Sequence, residues 1–306
     1  MKINESISEL RKICQISWRT WADQPWAFLQ IRKVSIYLTW VLLHVPVSAN
    51  SVTLLGIATG LTASVLFGLD HTLIAGFMLI FSVLLDFSDG EVGRYRKELS
   101  KEGAYLDKIY HFTVHPSIFA GVTIAAFRAQ PATWVVVTGF ICVISVTVLT
   151  MARTYARWIP LWDNCSRLVR KLSAESEDNL KVQELLSNAY SRASGRVAET
   201  NMTGQIQGAK QSRLGRIVSV ISGYWDFPYI FGMIIVISVI QQIIPVMCAG
   251  GVSFTPFAAV LFIYAITYPP LILLFVFYHV LTKSIGNDYD SFLSDLSSLI
   301  GKHAKK

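Results

Sequence analysis

Charge is scarce in this 306-residue chain: Asp, Glu, Lys and Arg supply only 15% of it, against 53% hydrophobic residues. Soluble domains carry about 25% charged residues, so a soluble domain of this size is excluded, and the mean hydropathy of +0.47 agrees. Cysteine is sparse as well. Cys14, Cys142, Cys165 and Cys248 are scattered, without a CxxC pair or metal-ligand spacing, and read as ordinary buried or free thiols. Residues 1 to 30 lack a basic start leading into a short apolar core, so no signal peptide is expected. The apolar runs are continuous rather than alternating, which argues against membrane strands.

What the chain does have is several apolar windows of about 20 residues, enough to cross a bilayer as helices. The expected fold is an all-α integral membrane protein with six transmembrane helices, at about 52–69, 72–94, 104–127, 132–158, 226–246 and 253–282, the last with a kink at Pro269-Pro270. Residues 1–48 mix charge with Trp, Phe, Ile and Leu and read as an interfacial amphipathic region. Residues 49–284 form the six-helix domain, with 159–222 as a polar loop, and 285–306 an amphipathic tail. The net charge of +7 sits beside the apolar segments and does not point to nucleic acid. Arg94, Arg96, Lys97, Lys101, Arg153 and Arg157 fall on one side and only Arg128 on the other. The excess places both termini and the loop at 95–103 in the cytoplasm.

Within this greasy chain lies "LLDFSDGEVGRYRKELSKEGAYLDKIYH", residues 84 to 111. Asp86 and Asp89 are three apart and share a helix face, and Asp107 and His111, four apart, share another. A short connection, expected to turn at Gly103, makes the two helices antiparallel neighbours, so the four side chains can converge near the cytoplasmic surface. Clustered carboxylates repel unless a cation sits among them. Hard divalent ions take oxygen ligands and leave positions for phosphate, and Arg94 suits a phosphate because its planar fork donates twice. Gly90, Gly93 and Gly103 let a ligand or backbone come close. The purely structural alternative is a salt-bridge network within the bundle.

The spacing of Asp86, Asp89, Gly90, Gly93, Arg94, Gly103, Asp107 and His111 resembles the signature of the CDP-alcohol phosphotransferase family, D-x2-D-G-x2-A-R-x8-G-x3-D-x3-D. Gly93 stands where Ala is usual, and His111 where the fourth Asp is expected. The upstream "PVSANSVT" is similar to the family's Pro-Asn-x-x-Thr entry to the first span, with Asn50 and Thr53 kept and Ala49 in place of Pro. The resemblance reaches from about residue 30 to 283 and implies transfer of a phosphoalcohol from a CDP-alcohol to an acceptor hydroxyl, with release of CMP. It implies Asp86, Asp89 and Asp107 as ligands of Mg²⁺ or Mn²⁺. Gly90, Gly103, Arg94, Asn50 and Thr53 would lie on the nucleotide and phosphate side. It further implies a homodimer, membrane lipid as surroundings and a role in phospholipid or related phosphodiester synthesis. His111 can serve as base or as metal ligand, with a taste for softer ions than Mg²⁺. His115, one turn on, is expected to pack or hydrogen-bond within the bundle. The competing readings are an inactive relative that binds nucleotide, a transporter using intramembrane acids, and a scaffolding protein.

Overall fold

The structure is a computed structural model that describes residues 5–15, 26–175, 227–249 and 252–281. The elements are α1 (Ile7–Cys14), α2 (Trp26–Leu43), α3 (Ala49–Gly68), α4 (Thr72–Arg96), α5 (Lys101–Ala129), α6 (Thr133–Glu175), α7 (Phe227–Ile243), β1 (Met247–Ala249), β2 (Val252–Phe254) and α8 (Pro256–Leu281). The chain divides into two compact units. Residues 1–150 and 219–272 form the first, which holds every residue of interest below. The second comprises residues 151–218 and 273–306.

Helix starts follow local capping. Ser6 caps α1 in a reciprocal box with Glu9, Ser48 caps α3 through the Ser51 N–H, and Ser100 caps α5 through the Gly103 N–H. Gly103 therefore sits in the first turn of α5 and is not the turn between helices. That turn is made at Lys97, whose φ of 57° is left-handed. The Glu98 N–H reaches back to the Gly93 carbonyl at 2.9 Å and closes the end of α4.

Among the described residues four helical stretches are long and apolar enough to cross a membrane: Ala49–Gly68, Thr72–Arg96, Thr133–Thr154 and Pro256–Tyr278. With apolar side chains such as Phe77, Val65, Leu54 and Phe140 exposed on their outer faces, they make this an integral membrane protein. The apolar stretch of α7, Tyr229–Ile243, is shorter, and α5 carries Lys101, Glu102, Asp107 and Lys108 in its first two turns. Beyond the expected end at 158, α6 runs on to Glu175. An antiparallel hairpin of β1 and β2, pairing Met247 with Phe254, interrupts the all-helical expectation. It is tied to the end of α5 by the Gln130 side chain, which donates to the Ser253 carbonyl and accepts from the Thr255 N–H. Pro269 and Pro270 both lie inside α8. The tail 285–306 and most of the loop 159–222 lie outside the described residues.

The larger apolar cluster draws on α3, α4, α5, α7 and α8 with the near part of α6, including Phe67, Leu79, Val114, Phe119, Phe231 and Tyr268, and a smaller one joins Leu10, Cys14, Ile36, Leu43 and Val92. A tight seam joins α3 to α5. A Cβ on Gly121 would overlap the Ser64 carbonyl, and one on Gly60 would strike Val114; the Ser64 hydroxyl donates to the Ser117 carbonyl across the same seam. This approach sets where the first turns of α5, and with them Asp107 and His111, meet α4. Gly121→Ala is expected to force the helices apart and destabilise the protein by about 1–3 kcal/mol. Thermal unfolding of purified protein in detergent checks this, and an unchanged midpoint would show the seam to be looser.

Candidate active site

The two faces of α4 do different work. On one face Asp86 and Asp89 meet α3 and α5. Ligand-capable atoms of Asp86, Asp107 and His111 all lie within 4.8 Å of one another. Asp107 Oδ2 takes an ion pair from Lys108 Nζ at 2.6 Å, while Asp107 Oδ1 lies 3.5 Å from His111 Nε2. The other ring nitrogen of His111, Nδ1, is 3.0 Å from His115 Nε2. Both rings sit edge-on to Tyr110, a fully buried residue whose hydroxyl meets Ser82 Oγ at 3.1 Å. Beyond them His115 meets Phe231 edge-on, at 5.2 Å between centroids. His115 therefore does pack in the bundle, and it also touches His111.

Asp89 is engaged differently from the other three. Its Oδ2 accepts from Thr53 Oγ1 at 2.6 Å, and its Oδ1 accepts from the Gly90 N–H. Thr53 thus ties α3 to α4 through a carboxylate. Gly103 packs on Asn50: a Cβ there would lie 3.0 Å from Asn50 Oδ1. The Gly93 departure has a local cause, since a Cβ at that position would come within 3.1 Å of Leu99 Cδ2 in the turn between α4 and α5.

The opposite face of α4 holds a carboxylate that the sequence reading passed over. Glu91 is fully buried and accepts from Gln15 Nε2 at 2.8 Å, Ser35 Oγ at 2.8 Å and Thr39 Oγ1 at 2.6 Å. Nearby, Ser88 Oγ donates to the Ser35 carbonyl, Arg94 Nε to the Cys14 carbonyl, and Arg96 to the Val45 and Val47 carbonyls at the end of α2. Burial pushes the Cys14 thiol up to about 12, so it stays protonated and packs as a small apolar side chain. Arg94, expected near phosphate, has one donor committed to this N-terminal latch.

Residues 46–162 match the model of the family described as CDP-alcohol phosphatidyltransferase. This segment belongs to that family. The matched segment carries α3, α4 and α5, and with them Asp86, Asp89, Asp107 and His111. The crystal structure of Mycobacterium tuberculosis phosphatidylinositol phosphate synthase (PgsA1) with CDP-DAG bound aligns with a TM-score of 0.49 at 14% identity, covering 80% of this chain and 92% of that one. No curated protein matches the chain.

The residues of the phosphotransferase segment fit a divalent cation. Asp86 Oδ1 is buried with no hydrogen-bond partner among the described residues, and a buried carboxylate oxygen without a donor is a costly feature unless a cation faces it. Asp107 and His111 supply two more donor atoms of the right kind beside it. Thr53→Val removes the hydroxyl that meets Asp89 and is expected to destabilise the protein by about 1.5–3 kcal/mol, the range for a bond to a charged group. Thermal unfolding against wild type checks this; a neutral result would show that Asp89 does not depend on Thr53.

Proposed function

We propose that the protein transfers a phosphoalcohol from a CDP-alcohol to an acceptor hydroxyl in a divalent-metal-dependent reaction, serving phospholipid or related phosphodiester synthesis. The observation that carries this reading is the grouping of Asp86, Asp107 and His111 within 4.8 Å, inside the segment that matches the family. In the reaction the acceptor oxygen forms a bond to phosphorus, the bond between that phosphorus and the oxygen of CMP breaks, and the acceptor's proton leaves with the products. The chemistry supplied by bound Mg²⁺ or Mn²⁺ would be charge compensation on the pyrophosphate and the departing CMP.

The chain's own residues take these parts in the proposal. Asp86 and Asp107 hold the cation, with Asp89 steadied beside them by Thr53. Gly90 and Gly103 leave room for the nucleotide, with Asn50 and Thr53 beside them, and Arg94 braces the acidic helix on the phosphate side. His111 is the catalytic residue at the fourth position. Its Nδ1 meets His115 and its Nε2 lies toward Asp107, where it serves as ligand or as base. The proposal also carries six spans, with α5 and α7 completing the four apolar ones, an amphipathic entry at residues 1–48, a cytoplasm-facing site and a homodimer. Dead-relative, transporter and scaffold readings are outcomes of the test.

Purified protein supplied with a panel of CDP-alcohols and acceptors is expected to release CMP only with Mg²⁺ or Mn²⁺. Asp86→Asn is expected to lower release by about 100-fold or more, in line with the loss of one charge-stabilising group at a transition state. Metal-dependent CDP-alcohol binding without turnover would establish the inactive relative, and absence of both would remove the enzyme reading.

A further inference from the structure

The position usually held by a fourth carboxylate carries an imidazole with a built environment. His111 Nδ1 and His115 Nε2 stand 3.0 Å apart, so one of them bears the shared proton. When His111 Nδ1 donates, the lone pair of Nε2 faces the carboxylates of Asp107 and Asp86. His115 is in no position to drift: it is buried, with Tyr110 on one side and Phe231 on the other. This is the arrangement by which a second residue fixes the tautomer and aim of a ligating histidine.

We propose that the cation site of this chain is a mixed carboxylate–imidazole site, formed by Asp86, Asp107 and His111 Nε2 and oriented by His115, which takes a first-row transition dication such as Mn²⁺ in preference to Mg²⁺. The proposal rests on the metal-dependent transferase reading and deepens it. Mg²⁺ is a hard ion that takes oxygen donors and loses water reluctantly. Replacing a carboxylate by a neutral imidazole removes one negative charge and one oxygen donor, both of which Mg²⁺ needs more than a transition ion does. Asp86 Oδ1, buried without a donor among the described residues, supplies the hard side of the set. His115 touches no reacting atom in this scheme and is a positioning residue.

The full-length protein in detergent is titrated with Mn²⁺, following the free-ion electron paramagnetic resonance signal, and then back-titrated with Mg²⁺. Pulsed measurements on the bound Mn²⁺ read directly coordinated nitrogen. Wild type is expected to show ¹⁴N coupling and to resist displacement by Mg²⁺. In His111→Asp the coupling disappears, and the Mg²⁺ needed for displacement falls about tenfold or more. His115→Phe keeps the ring volume but removes the acceptor, and Mn²⁺ binding weakens by about 10–100-fold. His115→Gln, whose amide oxygen stands near the place of Nε2, recovers part of that loss, which a merely structural role for His115 would not produce.

Bound Mn²⁺ without nitrogen coupling, or equal Mg²⁺ competition in wild type and His111→Asp, overturns the inference. CMP release measured on the same sample separates the two claims. Release with nitrogen-free Mn²⁺, or with no bound Mn²⁺, leaves the transferase reading standing without this inference. Neither binding nor release removes both.

Discussion

The structure is organised by the expense of placing carboxylates in an apolar helix bundle. An ionised group taken from water costs several kcal/mol unless donors or an opposite charge meet it. The segment from Asp86 to Asp107 brings four such groups into one small region. Three of them are met by the protein itself: Glu91 by an amide and two hydroxyls, Asp89 by Thr53 and the Gly90 N–H, Asp107 by Lys108. Asp86 Oδ1 alone is buried without a donor among the described residues. The distribution of donors therefore separates the acids that the fold itself satisfies from Asp86, whose Oδ1 it leaves unmet among the described residues.

The same distribution explains the architecture around α4. Its Glu91 face is a latch for the N-terminal helices, reinforced by Arg94 and Arg96 bonds to backbone carbonyls of residues that precede α3. Its Asp86 face is left to α3 and α5. The close approach of α3 and α5 at Gly60 and Gly121 pins the second half of the site, so that Asp107 and His111 arrive beside Asp86 from a different helix. A helix fastened on one side can present groups on the other with little play, which is what a charge-stabilising site requires.

Much of this was legible in the sequence because spacing is local. The pairs Asp86–Asp89 and Asp107–His111 follow from helical period. What escaped is non-local or contextual. Glu91 drew no reading, because its three donors come from 52 to 76 residues away. Gly103 was read as a turn residue from glycine's habits, whereas Lys97 takes the left-handed position and Gly103 serves close packing against Asn50. The small hairpin falls mostly between the expected spans ending at 246 and starting at 253, although "MCAGGVSF" places Gly-Gly between two apolar runs, a hairpin signal that only a search for strands would have weighed. The polar composition past residue 158 suggested a loop, yet polar residues on a helix already nucleated in an apolar span extend it at little cost.

The two departures within the acidic signature have different physical standing. Gly93 in place of Ala relieves contact with Leu99 and reports on the shape of one turn. His111 is joined to its surroundings by several independent contacts: a ring nitrogen to His115, the other toward Asp107, and an edge to Tyr110. An aspartate at this position would carry a second negative charge toward Asp107 and would offer His115 a carboxylate in place of a ring nitrogen. The environment is fitted to an imidazole, and an imidazole beside two carboxylates is a chemical specification of its own.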